Sequence, residues 1–155
     1  MFSLKEKTAI ISGGSKGIGK AIAFKYAEAG ANVVICSRKK DNLDSAIEEA
    51  QTAGFNIIGI ECNTGEIKSI NNVVNKTIEQ FGRVDILVNN AAANPYYGPI
   101  LNSQDSHWEK IWDINVKGYF NFIKACSKSM EDNKCGKIIN VASIAAKTPL
   151  DGLGV

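Results

Sequence analysis

One stretch constrains the fold of this chain more than any other. Ser12-Gly13-Gly14-Ser15-Lys16-Gly17-Ile18-Gly19 follows a short apolar run, Thr8 to Ser12, and opens a segment that carries Ile18, Ile22 and Tyr26 at helical spacing. A glycine-rich turn between strand and helix lets backbone amides come close to a bound group. The helix N-terminus behind it presents oriented N–H donors and a favourable dipole to an anion. Gly13, Gly17 and Gly19 form a looser variant of the common G-x-G-x-x-G spacing. A glycine cluster alone carries little; the strand before and the helix after make this one read as the pyrophosphate turn of a dinucleotide-binding unit.

The rest of the chain repeats the same alternation. Short runs rich in Ile and Val (Thr8 to Ser12, Asn32 to Ser37, Asn56 to Glu61, Asp85 to Asn89 and Lys137 to Val141) alternate with longer segments of helical period. This is the pattern of a parallel sheet covered on both faces by helices, and all of these strands read as fully buried. Ile67, Ile70, Val74, Ile78 and Phe81 recur every three or four residues up to a helix-ending Gly82, and Leu43, Ala46, Ile47 and Ala50 mark a helix after the second strand. A longer helix is predicted from about Ser106 to Met130, with Trp108, Trp112, Tyr119, Ile123 and Cys126 as its core-facing stripe. The expected fold is α/β: a Rossmann-type doubly wound parallel sheet, incomplete at its first five strands with their helices, in a single domain over residues 1–155.

Composition narrows the partners. With 45% hydrophobic and 22% charged residues, the chain has the make-up of an ordinary globular domain. Its net charge of +2 comes from 18 basic and 16 acidic residues scattered along the chain, which gives no field to gather nucleic acid. No apolar run nears the roughly eighteen residues that span a bilayer, and Met1 leads straight to Lys5-Glu6-Lys7 without a signal-peptide core, so no membrane partner is expected. Cys36, Cys62, Cys126 and Cys135 stand singly, mostly among apolar residues and without zinc-site spacing. They read as buried free thiols, pointing to a reducing, cytoplasmic setting and to no metal. His107, the only histidine, falls at a helix start beside Trp108 and reads as a surface residue, which leaves neither a metal site nor a serine triad to assemble.

The tip of the second strand, Cys36-Ser37-Arg38-Lys39-Lys40, lies about 20 residues past the glycine turn, where NAD-preferring folds hold the ribose hydroxyls with an acid. A carboxylate there would repel a 2′-phosphate. Arg38 can instead grip one bidentately, and Lys16 in the turn adds a second positive charge, so NADP is expected over NAD. The plainer alternative makes Arg38 to Lys40 a solvated helix entry and leaves the missing acid unaccounted for. Asn115 falls between Trp112 and Tyr119 on the apolar stripe, either as a functional amide or as a satisfied core amide bonding nearby backbone. Ser143, after the fifth strand, is either functional or a strand-end serine bonding backbone. The loop Asn94-Pro95-Tyr96-Tyr97-Gly98-Pro99 either lines a substrate mouth or is a rigid connection.

Together, the glycine turn, Val88-Asn89-Asn90-Ala91-Ala92, Asn115 and Ser143 resemble the short-chain dehydrogenase/reductases over the whole chain. Within that family the similarity is greatest to NADP-dependent carbonyl reductases of the dehydrogenase/reductase member 4 type, through Asn90-Ala91-Ala92-Ala93-Asn94-Pro95 and Val141-Ala142-Ser143-Ile144-Ala145-Ala146. The family's T-G-x-x-x-G-x-G is matched by Ser12 through Gly19, with serine keeping the threonine's hydroxyl. Its N-N-A-G is matched by Asn89, Asn90 and Ala91, with Ala92 in place of the glycine. The resemblance implies that NADP(H) is held by Gly13, Ser15, Lys16, Gly17, Ile18, Gly19, Ser37 and Arg38. It implies that Asn63 and Thr64 flank the adenine and that Asn90 and Ala91 back the ribose region. It further implies a catalytic set of Asn, Ser, Tyr and Lys, of which Asn115 would anchor a water in the proton path and Ser143 would hold the substrate carbonyl. The tyrosine would donate the proton and the lysine lower its pKa. A small carbonyl or alcohol substrate and assembly as a homo-oligomer, dimer or tetramer, follow from the same resemblance.

The family's Y-x-x-x-K is expected directly past Val155, the last residue here, and none of Tyr26, Tyr96, Tyr97 and Tyr119 has a lysine four residues on. The expectation is a chain truncated on its C-terminal side, with its fifth strand an exposed edge and its helix faces unpartnered, prone to aggregate when made alone. Such a chain would carry the cofactor half of an oxidoreductase and by itself reduce nothing. Two other functions stay open: a catalytically silent NADP-binding module, and an epimerase or dehydratase on the same fold.

Overall fold

The computed structural model describes residues 3–148 and 151–153. Strands β1 (Thr8–Ser12), β2 (Asn32–Ser37), β3 (Ile57–Glu61), β4 (Ile86–Asn89) and β5 (Lys137–Asn140) form one parallel sheet in the order β3-β2-β1-β4-β5. Helices α1 (Gly17–Glu28), α2 (Lys40–Thr52), α3 (Ile67–Phe81), α4 (Asp105–Ile111) and α5 (Gly118–Asp132) run between them.

Side chains alternate across a strand, and here both faces are covered. Ile10 of β1 packs with Val34, Leu87, Val73 of α3 and Phe122 of α5 on one side of the sheet. Its neighbours Ala9 and Ile11 pack with Val33, Ile35, Ala23 of α1 and Leu43 of α2 on the other. That two-sided burial is why the strands read as unbroken apolar runs. Helix α3 ends where expected, with Gly82 in the left-handed region at φ 76° and its N–H bonded to Ile78 O at 2.7 Å.

The chain lays β2 and β3 on one side of β1 and then crosses to place β4 and β5 on the other. The connections leaving β1 and β4 therefore diverge, and a crevice opens beyond their carboxyl ends.

Four expectations are corrected. The strand bounds shift: β3 begins at Ile57 instead of Asn56, β4 at Ile86 instead of Asp85, and β5 ends at Asn140 instead of Val141. All four residues of β5 are exposed rather than buried; the strand lies at one edge of the sheet, as the resemblance implied. Ile18 and Ile67 are exposed rather than core-facing, at the first turns of their helices. The predicted helix Ser106 to Met130 is present in extent but is broken by a π-helical turn over Trp112–Lys117. That wider turn rotates the face after it, so Ile114, Gly118, Phe122 and Cys126 are buried while Trp108 and Trp112 are 47% and 54% exposed. Of the expected stripe, Tyr119 and Ile123 are half-buried and Cys126 buried, whereas Trp108 and Trp112 are exposed, as are Val116 and Phe120.

Candidate nucleotide site

The crevice at the carboxyl end of the sheet holds a cleft of about 530 Å³. It is lined by the turn residues Gly13, Ser15, Lys16, Gly17 and Ile18, by the β2 tip, Ser37 to Lys39, by Asn42 of α2, and by Cys62, Thr64, Asn90, Ala91, Ala92 and Ile114.

Hydrogen bonds set the shape of the glycine turn. The amides of Gly13 and Gly14 both donate to Cys36 O, at 2.8 and 3.3 Å, which hangs the turn on β2. The Ser12 hydroxyl accepts from the amides of Asn90 and Ala91, at 3.0 and 3.1 Å, and the Asn90 side-chain amide donates to Ser12 O and Gly13 O, at 2.9 and 3.2 Å. The turn after β1 and the loop after β4 are thus laced into one floor. Gly19 is required by proximity: a Cβ there would run into Gly13 O and the Asn90 side chain. Gly17 is required by conformation, at φ 56°, with nothing within 4 Å of where its Cβ would point.

With the first two glycine amides engaged, the donors left for an anion are those of the first turn of α1. That helix has no side-chain cap at Lys16 and no acid in its first turn, so its leading N–H groups and positive dipole end are unopposed. Lys16, Arg38 and Lys39 line the cleft, and among the described residues no carboxylate does. Lys40, the third cation of the β2 tip, does not line the cleft and pairs with Asp44 at 2.6 Å. A cleft of this volume with free helix amides and a cationic rim fits a dinucleotide.

The remaining expected site residues lie around this core. Gly19 sits beneath the floor rather than on it. Thr64 lines the cleft, whereas the Asn63 side chain closes the turn into α3, donating to Glu66 Oε1 at 2.7 Å and accepting from Gly65 N at 3.2 Å. Asn115 sits in the π-helical turn and pairs both ways with the backbone of Ala93: Oδ1 accepts from Ala93 N at 2.8 Å and Nδ2 donates to Ala93 O at 3.0 Å. Its neighbour Ile114 reaches the cleft wall. Gly118 lets α5 come against the loop after β3, since a Cβ would lie 2.6 Å from Thr64 O. Ser143 is exposed, follows β5 and accepts from Ala145 N at 3.1 Å at the start of a short 3₁₀ turn. In both Asn115 and Ser143 the side chain bonds backbone, an arrangement compatible with either reading made from sequence.

The loop after β4 is internally braced. Tyr96 stacks on His107 with ring centroids 4.9 Å apart and donates to Pro99 O at 2.9 Å, and Trp108 Nε1 donates to Ser103 Oγ at 3.0 Å. His107 Nδ1 accepts from Gln104 N at 3.1 Å, so the histidine caps α4. Tyr119 is not a free acid: burial raises its pKa and its hydroxyl donates to Val141 O at 3.2 Å. Sequence reasoning missed Lys39, Asn42 and Cys62 as cleft residues and Ser12 as the pin between the two loops. The signal for Asn42 was its place in the first turn of the helix that follows Arg38.

Comparison with known proteins adds four findings. The short chain dehydrogenase family profile matches residues 7–155. The rabbit (Oryctolagus cuniculus) protein "Dehydrogenase/reductase SDR family member 4" is 41% identical over 151 residues, 97% of this chain and 58% of that protein's length, so the chain spans little more than half of this relative. Among solved structures, a metagenomic short-chain oxidoreductase in complex with NADP is similar with a TM-score of 0.89 and 31% identity, over 97% of this chain and 68% of that one. An NAD+-bound xylitol dehydrogenase is similar with a TM-score of 0.90 and 25% identity, over 96% of this chain and 57% of that one.

Proposed function

This chain belongs to the short-chain dehydrogenase family, and from that premise we propose that it supplies the cofactor-binding part of an NADP(H)-dependent oxidoreductase acting on a small carbonyl or alcohol. One similar structure holds NADP and another NAD+, so the choice between them turns on the tip of β2. The observation that carries the NADP reading is the cleft rim: Lys16, Arg38 and Lys39, without a carboxylate among the described residues. An arginine fork and a neighbouring ammonium suit a 2′-phosphate and offer ribose hydroxyls no acceptor.

The nicotinamide dinucleotide would supply the hydride. The chain's own residues would bind and orient it: the first-turn amides of α1 take the pyrophosphate, Thr64 faces the adenine side, and the laced floor of Ser12, Asn90 and Ala91 backs the ribose. Asn115, fastened to Ala93, would fix the loop after β4, and Ser143 would donate its hydroxyl proton to the carbonyl oxygen while its oxygen goes on accepting from Ala145 N. The 155 residues contain no tyrosine with a lysine four residues on, so this stretch alone is expected to hold the dinucleotide and turn nothing over. The exposed Trp112, Val116 and Phe120 support a homo-oligomer, and four cysteines free of disulfides support a reducing, cytoplasmic setting.

The decisive experiment is Arg38→Ser followed by calorimetric titration with NADPH and NADH. The Kd for NADPH should rise by about ten-fold or more and that for NADH by no more than about two-fold. Equal changes for both, or none, would overturn the assignment to NADP.

A further inference from the structure

We propose that Cys62, backed by Cys36, is a thiol modification site in the floor of the nucleotide cleft, oxidised by peroxides and closing onto Cys36 as a disulfide in competition with nucleotide. The two cysteines are neighbours by construction of the sheet. Cys36 stands opposite Ile60 in the β2–β3 register, and Cys62, two residues on, shares Ile60's face and extends the ladder with its N–H on Ser37 O at 2.9 Å. Both thiols belong to the core beneath α3 and α5. Cys62, 1% exposed, is the one of the two that lines the cleft, which is therefore the side from which an oxidant would come.

Their protonation states differ in the direction that such chemistry needs. The Cys36 thiol donates toward the Cys62 sulfur, which lowers the pKa of Cys62, aided by the Ser69 hydroxyl; the same contact, with burial, holds Cys36 well above an ordinary thiol. Cys62 is thus the nucleophile and Cys36 the partner that resolves it. The Cys62 thiolate attacks one peroxide oxygen, the O–O bond breaks and an alcohol or water leaves, so sulfur is oxidised to sulfenic acid and the peroxide is reduced. The Cys36 sulfur then attacks the sulfenic sulfur, an S–S bond forms and water departs with the Cys36 proton. Cys126, the other thiol in this core, is pushed by burial up to about 12 and does not compete.

Closure acts on the nucleotide site. With strands about 4.8 Å apart and a rise of about 3.3 Å per residue, diagonal neighbours on a parallel pair stand about 8 Å apart at Cα, whereas a disulfide holds its Cα atoms at about 4.4–6.8 Å. Forming the bond therefore draws the end of β2 toward Cys62. The glycine turn hangs on the carbonyl of that same Cys36 and moves with it.

The test is peptide mapping of the full-length protein after mild peroxide treatment. A Cys36–Cys62 cross-linked peptide is expected, with Cys36→Ser leaving Cys62 trappable as sulfenic acid by dimedone and Cys62→Ser leaving Cys36 reduced. An unmodified Cys62, or its cross-link to Cys126, would overturn the pair, and circular dichroism of both variants checks that they are folded. NADPH at about ten times its Kd should slow the oxidation by about ten-fold; binding without protection would overturn the placement of Cys62 in the cleft. Only this protection arm rests on the proposed function. If NADPH fails to bind, that proposal falls, and the cross-link still decides the thiol pair.

Discussion

The two ends of the sheet are built on opposite principles. At the amino end the gap between β1 and β4 is closed by a buried carboxylate: Asp85 accepts the Thr8 amide at 2.9 Å and a bidentate Arg83, with Nε 2.9 and 3.0 Å from its two oxygens, while Lys7 lies 3.7 Å away. At the carboxyl end the same two strands diverge, and the space between them is held open by small residues and by backbone acceptors for Asn90. One end satisfies its polar groups internally; the other leaves helix amides and cations facing solvent. Stability should therefore be lost most at the first end and binding at the second.

That division can be broken by substitution. The largest effect is expected from Asp85→Ala, which leaves the Thr8 amide and the guanidinium of Arg83 without their shared partner; urea unfolding should show a loss of about 3 kcal/mol, with the Kd for NADPH changed by less than about two-fold. A small loss of stability, or a large loss of affinity, would erase the distinction between the ends. Gly19→Ala comes next. Its methyl meets Gly13 O and the Asn90 side chain, so overpacking of about 1–3 kcal/mol should fall on the floor of the cleft and weaken NADPH by about ten-fold or more, which calorimetry would read directly. Lys40→Ala should do least. Its ammonium pairs with Asp44 and the residue does not line the cleft, so the Kd for NADPH should move by less than about two-fold; a drop comparable to that of Arg38→Ser would return Lys40 to the phosphate-binding set.

The covered part of the sheet was legible from its apolar runs, whereas the exposure of β5 was legible only from the family resemblance, which made it an edge, and not from its own residues. Strands β1, β2 and β4 are flanked on both sides by other strands and covered on both faces, so their Ile and Val runs report their surroundings faithfully. The composition of β5, Lys137-Ile138-Ile139-Asn140, looks similar, yet every residue is exposed, because burial depends on what lies across the strand. The aromatic stripe misled for a related reason. Trp108 and Trp112 fit the spacing of a regular helix, and the π-helical turn over Trp112–Lys117, which no period of 3.6 announces, rotates the buried face onto Ile114 and Phe122.

In the site, Gly13 to Gly19 and Arg38 could be found from order along the chain, since a strand, a glycine turn and a helix are contiguous and their chemistry is local. The separate roles of those glycines could not. That Gly13 and Gly14 donate to Cys36, that Gly19 is fixed by Asn90, and that Cys62 meets both Cys36 and the cleft all join segments distant in sequence. The sequence by itself determined the alternation of elements, the phosphate-binding turn and the missing acid at the tip of β2, because each rests on neighbours within a few residues. Only the tertiary structure decided which amides stay free, which lysine reaches the rim and which thiols face each other, because those depend on how β2, β3 and β4 are laid beside β1.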